Sequence, residues 1–353
     1  MDIYVLNPSC EVLDLVDSYE SVIWNVQYYG RNEFEIVIAA TEKNINLMQV
    51  DNMLCRDCDI KGEEYRNVML IASRKITYDT EKGFVITVSG KGLKNILNRR
   101  IIWNQTIISG SVEGGIRQVI TENVIAPSDD NRKIDNFEME PEKGFEDTAD
   151  LQLLGDKIAE WLESTCETYG IGWDVYIKDK KYMFYMYKGT DRTYDQTAVN
   201  PVVFSPEYDN LPTCNHTFSK NDYVNAAVVG GEGDGIDRRT VSIGTTSGLD
   251  RRETFIDGSS VSSNGEIITE AQYYEMLTGY GNDQLANSAV TQSFDGDLIP
   301  DSTYKLNEDY FLGDLVQIDS GYNIQATSRI LEIIYSEDTG GSATVPTFGT
   351  WEV

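Results

Sequence analysis

Six runs of strand-forming residues dominate the N-terminal part of the chain, and they constrain its fold more than any other feature. Each run is rich in β-branched or aromatic residues, and Gly, Asn and Asp turns separate the runs. Short strands in succession, without a long helical period between them, predict an all-β unit, either a sandwich or a barrel. The runs are IYVLN, SVIWNVQYYG, FEIVIAAT, NMLCRDCDI, RNVMLIASRKITYD and GFVITVSG.

Helical periods appear after this region and predict an α+β unit. The segment SVEGGIRQVITENVI carries an apolar stripe at helical spacing. A second helix is predicted from Asp147 to Gly170, because side chains of its first turn can cap the N-terminus and Gly170 can end the helix. WDVYIK and YMFYMY flank a short polar turn and predict an antiparallel hairpin that packs on this helix. The residues of the first stripe are Val112, Ile116, Val119, Ile120 and Val124.

Strand-like runs return beyond Asn200. They include VVFS, HTFSK, NAAVVGG, RRTVSIG, LGDLVQID and SRILEIIYS. A capping box of Thr269 and Gln272 predicts one helix among them. Alternation in the last run places Ile330 and Ile334 on one face of a strand. No repeat of fixed short period is apparent, and the order β, α+β, β, helix, β predicts two β units with insertions.

Charge and cysteine usage exclude several classes of protein. The chain has 58 acidic and 29 basic residues, a net charge of −29, so sequence-specific binding of nucleic acid is not expected. No run approaches the roughly 20 apolar residues of a membrane-spanning helix, and the N-terminus is acidic where a signal peptide would be basic. Five scattered cysteines argue against a disulfide framework, so we expect reduced thiols.

Three motifs suggest ligand sites, and their spacing argues against each. Cys55 and Cys58 form C-x-x-C, and Cys214 with His216 forms C-x-H, but no second pair stands at zinc-finger spacing. GGEGDG lacks both the spacing of a dinucleotide loop and the ligand order of an EF-hand. The single histidine, His216, has no orienting acid or oxyanion loop at a recognisable spacing. We therefore assign no catalytic, cofactor-binding or metal-binding residue and expect no cofactor.

A more specific signal comes from phrases spread over nearly the whole chain. They are SVIWNVQYYGRNEFEIVI, GFVITVSGKGLKNILNRRIIW, YKGTDRT, VVFSPEYDNL, NAAVVGGEGDG, ITEAQYYEMLTGYGNDQLA and DYFLGDLVQID. In this order and spacing the chain resembles the siphophage-type tail hub and tail-tip (baseplate-hub-like) proteins. These proteins belong to long-tailed bacteriophages, prophages and phage-tail-like particles.

The resemblance implies a mainly β fold with α+β insertions. Residues 1–104 would form a first hub-type β-barrel domain, and residues 201–255 with 290–353 would form a second. Residues 105–200 would be the inserted α+β domain, and residues 256–289 a helical insertion. Three copies would assemble into a ring whose six barrels continue the sixfold tail tube.

The resemblance also implies a function. The chain would be a structural virion protein, a trimeric tail or baseplate hub. It would cap the distal end of the tail tube, link it to the tip or spike, and open for genome passage. Its partners would be its own copies, a distal tail or tail tube protein, a tape-measure protein, and a tip, spike or fibre protein. DNA would contact it only transiently, in a lumen lined by part of the acidic surface, and no stable membrane association is expected. It would be made in the bacterial host cytoplasm and end at the distal tail tip or baseplate of the virion.

Four residues of the phrases NRRIIW and GTDRT are the expected interface or domain-junction residues, since arginine suits planar pairing and stacking at such places. They are Arg99, Arg100, Trp103 and Arg192. The sequence ends directly after the second expected barrel, so any wall-degrading activity is expected on another chain and this one is not expected to be an enzyme.

A cell-wall glycan-binding or glycan-hydrolysing tail-tip module is the alternative. The chain has 21 tyrosines that could form a sugar platform, and its many acids offer carboxylate pairs. An enzyme would turn over peptidoglycan, and a sugar-binding module would bind wall polymer as a monomer. The hub interpretation predicts neither behaviour.

Overall fold

The computed structural model describes residues 1–349 except 81–82, 264–268, 287, 289, 296–298, 300–302 and 322–324. Parts of the expected helical insertion and second barrel, with the chain end at Val353, therefore lie outside the described residues. The chain divides into two compact units. Unit 1 comprises residues 1–214 and 296–349, and unit 2 comprises residues 215–295.

The N-terminal part of unit 1 consists mostly of strands, as its sequence predicts. One short helix, α1 (Glu42–Leu47), separates the fourth strand from the fifth, and a 3₁₀ segment over Leu93–Arg99 follows the last. The strands are β1 (Ile3–Leu6), β2 (Val12–Val16), β3 (Ser21–Gln27), β4 (Glu33–Ala39), β5 (Met53–Arg56), β6 (Ile60–Lys61), β7 (Glu64–Tyr65), β8 (Met69–Asp79) and β9 (Gly83–Gly92).

The next segment of unit 1 is the predicted α+β region. Its elements are β10 (Thr106–Ser111), α2 (Val112–Ile120), β11 (Phe137–Met139), β12 (Thr148–Leu153), α3 (Ile158–Thr168), β13 (Gly172–Lys178) and β14 (Lys181–Tyr187). The amphipathic helix is confirmed, because all five apolar residues of its stripe are buried and a π-helical turn continues α2 to Ile125. The hairpin of β13 and β14 is confirmed as well. Asp179 and Lys180 both have positive φ, 51° and 60°, as the tightest hairpin turns require.

The helix predicted from Asp147 to Gly170 is wrong in its first half. Residues 148–153 form β12, which pairs antiparallel with β10, and the helix begins only at Ile158. Gly155, with a φ of +87°, lies between strand and helix. Pairing with a distant strand satisfies the backbone here, and it overrides a local helical period that spans only two turns.

After two short strands the chain enters unit 2 and then returns. The two strands are β15 (Asp191–Arg192) and β16 (Val203–Phe204). Unit 2 contains β17 (Asn215–Ser219), β18 (Ala226–Gly230), β19 (Thr240–Ile243), β20 (Glu253–Asp257), α4 (Glu270–Ala286) and β21 (Thr291–Asp295). Unit 1 is completed by β22 (Leu315–Asp319), β23 (Gln325–Asp338) and β24 (Gly341–Phe348).

One sheet of 12 strands joins the two ends of the chain within unit 1. Its order is β15-β22-β23-β3-β4-β9-β8-β5-β1-β2, with β16 also on β22 and β24 also on β23. The central pairing is between β3 and β23, which are antiparallel. The sheet curves around a core, since Ile3 of β1 and Trp24 of β3 lie far apart in strand order yet belong to one buried cluster.

A β-bulge changes the face that β23 presents. The register against β24 shifts between Ile330 and Glu332, so the extra residue breaks the alternation expected for SRILEIIYS. Ile330 and Ile333 are both buried, whereas Ile334 is only partly buried. The expectation that Ile330 and Ile334 share a face is therefore wrong.

The α+β region and unit 2 each have a further buried core. The α+β region packs α2 and α3 on the β13–β14 hairpin through residues such as Ile116, Leu162 and Phe184. In unit 2, α4 packs on β18 and β19 through Tyr273 and Leu277. No helix in the described part of the chain combines the length and apolarity needed to cross a membrane.

Candidate functional site

The GTDRT phrase lies at a junction inside unit 1, where it meets the start of β22. Arg192 Nε is 2.6 Å from Asp314 Oδ2, and Asp314 is only 2% exposed. The same carboxylate accepts hydrogen bonds from Thr190 N at 2.7 Å and Phe311 N at 3.0 Å. A buried carboxylate with three donors fixes the loop between β14 and β15 against the C-terminal strands.

The buried side chain of Tyr28 lies at the same junction, between the segment after β14 and the segment before β22. Its Oη lies 3.2 Å from both Gly170 O and Tyr187 O and accepts a hydrogen bond from Gly189 N at 3.1 Å. Burial raises the pKa of the Tyr28 hydroxyl. A Cβ on Gly313 would lie 2.2 Å from the Tyr28 ring, and a Cβ on Gly189 would lie 1.8 Å from Gly313 O. The close approach of these two segments therefore requires glycine at both positions.

The NRRIIW phrase forms a different cluster, around Arg132. Arg100 Nε donates to Arg132 O at 2.6 Å, and Arg132 Nη2 donates to Ile101 O at 2.7 Å. The Arg132 guanidinium lies 4.9 Å from the centre of the Trp103 ring, which is 57% exposed. Burial and the neighbouring Arg100 charge lower the pKa of Arg132.

Arg99 is exposed and pairs with Asp51 at 2.5 Å. Together with Arg100 and Lys133 it lines a depression of about 370 Å³ whose apolar lining includes Ile134. The structure thus places Arg99 and Arg100 at one depression and links Trp103 to Arg100 through Arg132. It places Arg192 at a separate, buried ion pair. Their role at an interface stays a prediction.

The ligand motifs considered from sequence are placed as follows. Cys55 is buried in β5 and Cys58 is exposed in the 3₁₀ turn after it, and burial raises the pKa of the Cys55 thiol. Among the described residues no three His, Cys, Asp or Glu side chains group closely enough to hold a metal ion. The glycine-rich segment is a hairpin of β18 and β19. A Cβ on its Gly231 would lie 2.1 Å from the Tyr273 hydroxyl.

Sequence reasoning missed a buried cation. Lys94 is 1% exposed, and its Nζ donates to Gln27 O at 2.9 Å and Trp173 O at 3.2 Å. Burial lowers the pKa of Lys94 to about 8, against the opposing effect of Asp174. Burial likewise raises the pKa of the Asp174 carboxyl. A lysine in the polar phrase KGLKN gives no signal of burial, because only the tertiary fold brings β13 over it.

Sequence reasoning also missed a short repeat in unit 2. GIDRRTVSI and GLDRRETFI share the pattern Gly, aliphatic, Asp, Arg, Arg and stand 13 residues apart, at residues 235–243 and 248–256. Aligning the two DRR phrases would have found it. Each copy is a 3₁₀ turn followed by a strand, β19 or β20.

The profile of the family described as Siphovirus ReqiPepy6 Gp37-like protein matches residues 2–350. The chain belongs to this family. The Gp37-like assignment confirms the resemblance to siphophage tail proteins seen in the sequence. No curated protein matches the chain.

Solved phage tail proteins share the fold of this Gp37-like chain. The prophage MuSo2 43 kDa tail protein from Shewanella oneidensis has a TM-score of 0.57 at 12% identity, covering 99% of this chain and 98% of its own. A tail protein from Neisseria meningitidis MC58 has a TM-score of 0.55 at 11% identity, covering 99% and 96%. A chain of a PdpA–VgrG complex in its lidless form has a TM-score of 0.53 at 9% identity, covering 100% and 66%.

Proposed function

We propose that this tail protein is a trimeric hub of the tail or baseplate. It caps the distal end of the tail tube, joins the tube to a tip or spike, and opens when the genome passes. Family membership supports a place in the virion tail, and the fold shared with tail proteins supports a structural role. Its partners in this proposal are its own copies, a distal tail or tail tube protein, a tape-measure protein, and a tip, spike or fibre protein.

The observation that carries the proposal is the 12-stranded sheet that combines N-terminal and C-terminal strands. β3 continues through β23 to β22, so strands of residues 1–104 and strands of residues 315–348 are hydrogen-bonded in one sheet. The proposed barrel domains are residues 1–104 and residues 201–255 with 290–353, and β17 to β20 of the second domain form separate sheets in unit 2. A protein that extends a tube benefits from such a continuous sheet, because the strands inside it are paired on both sides. In this proposal the α+β domain of residues 105–200 and the helical insertion of residues 256–289 are additions to the two barrel domains.

The charge of the chain fits transient passage of DNA. The chain has 58 acidic and 29 basic residues. Acidic side chains on a wall repel phosphates, so a duplex slides past without binding. The lumen in this proposal is lined by such acidic faces.

Imaging of the assembled particle tests the proposal. We expect density with threefold symmetry for this chain at the distal end of the tube, and antibody against the chain should label that end. Particles from a host that lacks the gene should have no cap, and supplying the gene should restore it. Absence of the chain from purified particles would refute the hub role. Release of peptidoglycan fragments by the purified chain would favour the wall-directed alternative instead.

A further inference from the structure

The repeat in unit 2 presents two aliphatic side chains to solvent in equivalent positions. Ile236 and Leu249 are both fully exposed at the centre of a 3₁₀ turn. The glycine before each has a positive φ, 58° for Gly235 and 68° for Gly248. Large apolar residues are usually exposed singly and by chance, whereas here sequence and conformation reproduce the exposure twice.

Both turns are held in place by their arginine pair. The first arginine binds carbonyl groups of its own loop: Arg238 donates to Gly230 O and Gly231 O, and Arg251 donates to Gly244 O and Thr246 O. The second arginine lies over a tyrosine ring, Arg239 on Tyr273 at 4.9 Å and Arg252 on Tyr223 at 5.9 Å. A side chain on such a preorganised turn loses little conformational entropy when a partner buries it.

The two turns differ in charge. In the first, both arginines are neutralised, Arg238 by Asp257 at 2.5 Å and Arg239 by Glu232 at 3.7 Å. In the second, Arg251 pairs with Glu253 at 2.5 Å. Arg252 is exposed and makes no ion pair with any residue that the structure describes. Arg252 Nη1 donates to Lys220 O at 2.8 Å. The Leu249 turn is therefore an aliphatic anchor beside a guanidinium that lacks an ion pair.

Unit 1 has a groove on the outward face of its sheet. Both apolar and acidic side chains line this groove, so it is complementary to an aliphatic anchor beside a cation. The groove has a volume of about 600 Å³, and Ile23, Ala72 and Ile334 are among its lining residues. Ile23 is 48% exposed. The β-bulge of β8 at Ala72, opposite β9, interrupts the sheet here.

One buried acceptor and one exposed carboxylate in the same groove lack a protein partner among the described residues. Asn25 is 7% exposed, and its Oδ1 has no hydrogen-bond partner. Glu33 is paired with Lys91 at 3.0 Å, whereas Glu35 makes no ion pair within the described part of the chain. A buried acceptor without a donor is unfavourable, and the exposed carboxylate of Glu35 is open to pairing with a guanidinium that reaches the groove.

We propose that the Leu249 turn of one copy of the chain docks in this groove of a second copy. Leu249 fills the apolar lining formed by Ile23 and Ile334, and Arg252 pairs with Glu35. The second copy is the occupant because the charges are complementary: an aliphatic anchor beside a cation and an apolar groove beside a carboxylate occur on the same chain, and neither charge has an ion pair within the described residues. The inference builds on the proposed assembly of several copies, and it names the contact between them.

Sedimentation velocity of the full chain over a range of concentrations tests this contact, and the repeat supplies a matched control. Leu249→Ser should weaken self-association by on the order of tenfold or more. Ile236→Ser, in the turn whose arginines are both neutralised, should leave it unchanged. Both side chains are fully exposed, so both variants should keep the wild-type melting temperature.

Charge exchange gives an independent reading. Arg252→Glu and Glu35→Arg should each weaken self-association by on the order of tenfold, and the combined variant should restore it. A wild-type chain that stays monomeric at every concentration, equal loss in both serine variants, or no restoration in the double variant would each overturn the inference. The hub role would survive any of these results if imaging still finds the chain at the end of the tube.

Discussion

Asp314 shows how a single residue can hold several segments together. Its carboxylate receives Arg192 and two backbone N–H groups, and it lies at the entry to β22. Breaking a buried ion pair costs far more than breaking an exposed one, because the remaining charge stays in a low-dielectric site. The chain contains one arginine in a buried ion pair, Arg192, and another in an exposed ion pair, Arg99, so that the two can be compared.

Replacing Arg192 by Ala should lower the free energy of unfolding by about 3 kcal/mol. Arg99→Ala is the control, since the pair of Arg99 with Asp51 is about half exposed on both sides and should contribute less than about 1 kcal/mol. Denaturant titration of both variants measures the difference. Equal losses would show that the Arg192 pair is no more important than a surface pair.

Gly189→Ala should destabilise unit 1 by more than about 2 kcal/mol, because the new methyl group would meet the backbone of Gly313 at 1.8 Å. Gly279→Ala serves as the reference. Gly279 lies in α4 with open space around it, so the alanine should stabilise its helix by roughly 1 kcal/mol. Thermal melting followed by circular dichroism distinguishes the two, and a neutral Gly189→Ala would contradict the close approach.

At the scale of secondary-structure elements, the sequence patterns predicted some helices, strands and turns correctly and others wrongly, and each outcome has a physical reason. The stripe of α2 and the turn of the β13–β14 hairpin could be predicted, because each depends on residues close together in the chain. The strand over residues 148–153 could not be predicted, because β10, its partner, supplies the pairing from outside the pattern. The alternation predicted for β23 is wrong for a related reason, since the extra residue of the bulge changes the face on which every later residue lies. The ion pair of Arg192 could not be predicted, because its partner Asp314 lies 122 residues away in the chain.

The 3₁₀ segment over Leu93–Arg99 carries the buried Lys94, and this gives the stability of unit 1 a pH dependence. The pKa of Lys94 is lowered to about 8 by burial, whereas an unfolded lysine has a pKa of about 10.4. Between these values the unfolded chain binds more protons than the folded chain, so the free energy of unfolding rises with pH.

Lys94→Met removes the titrating amine and with it this pH dependence of the free energy of unfolding. The difference in unfolding free energy, wild type minus Lys94→Met, should therefore increase from about pH 8 to about pH 10, by at most about 1.4 kcal/mol for each pH unit. Denaturant titrations across that range measure it. A difference that is flat with pH would show that Lys94 titrates as an exposed lysine does.

At the scale of the whole molecule, the two units have very different cores. Among the described residues, unit 1 has two large buried clusters, whereas the buried cluster of unit 2 has five residues: Ala227, Val229, Ile243, Tyr273 and Leu277. A small core buries less apolar surface and supports less stability. The mainly β architecture was evident from the sequence. The division at residues 215–295 depends on which strands pair, and composition does not reveal it.

Calorimetry should therefore show two unfolding transitions, with unit 2 unfolding at the lower temperature. Thr269→Ala removes the capping box at the start of α4, where Gln272 N donates to Thr269 Oγ1 at 3.3 Å and Thr269 N donates to Gln272 Oε1 at 2.9 Å. It should shift only the lower transition, by about 1 kcal/mol in unfolding free energy. Arg192→Ala should shift only the upper one. A single transition that responds to both variants would mean that the units unfold together.

The pairing of β3 with β23 has a consequence for how the chain is made. β3 emerges from the ribosome early, yet its partner strand begins only at Gln325, about 300 residues later. At roughly 5–20 residues per second, translation leaves this edge of the sheet unpaired for about 15–60 s. The backbone N–H and C=O groups at the open edge of β3 must stay unpaired or be shielded until the last strands are synthesised. A nascent chain that stalls before Gln325 should thus be prone to aggregation, although nearly all of its other strands are already complete.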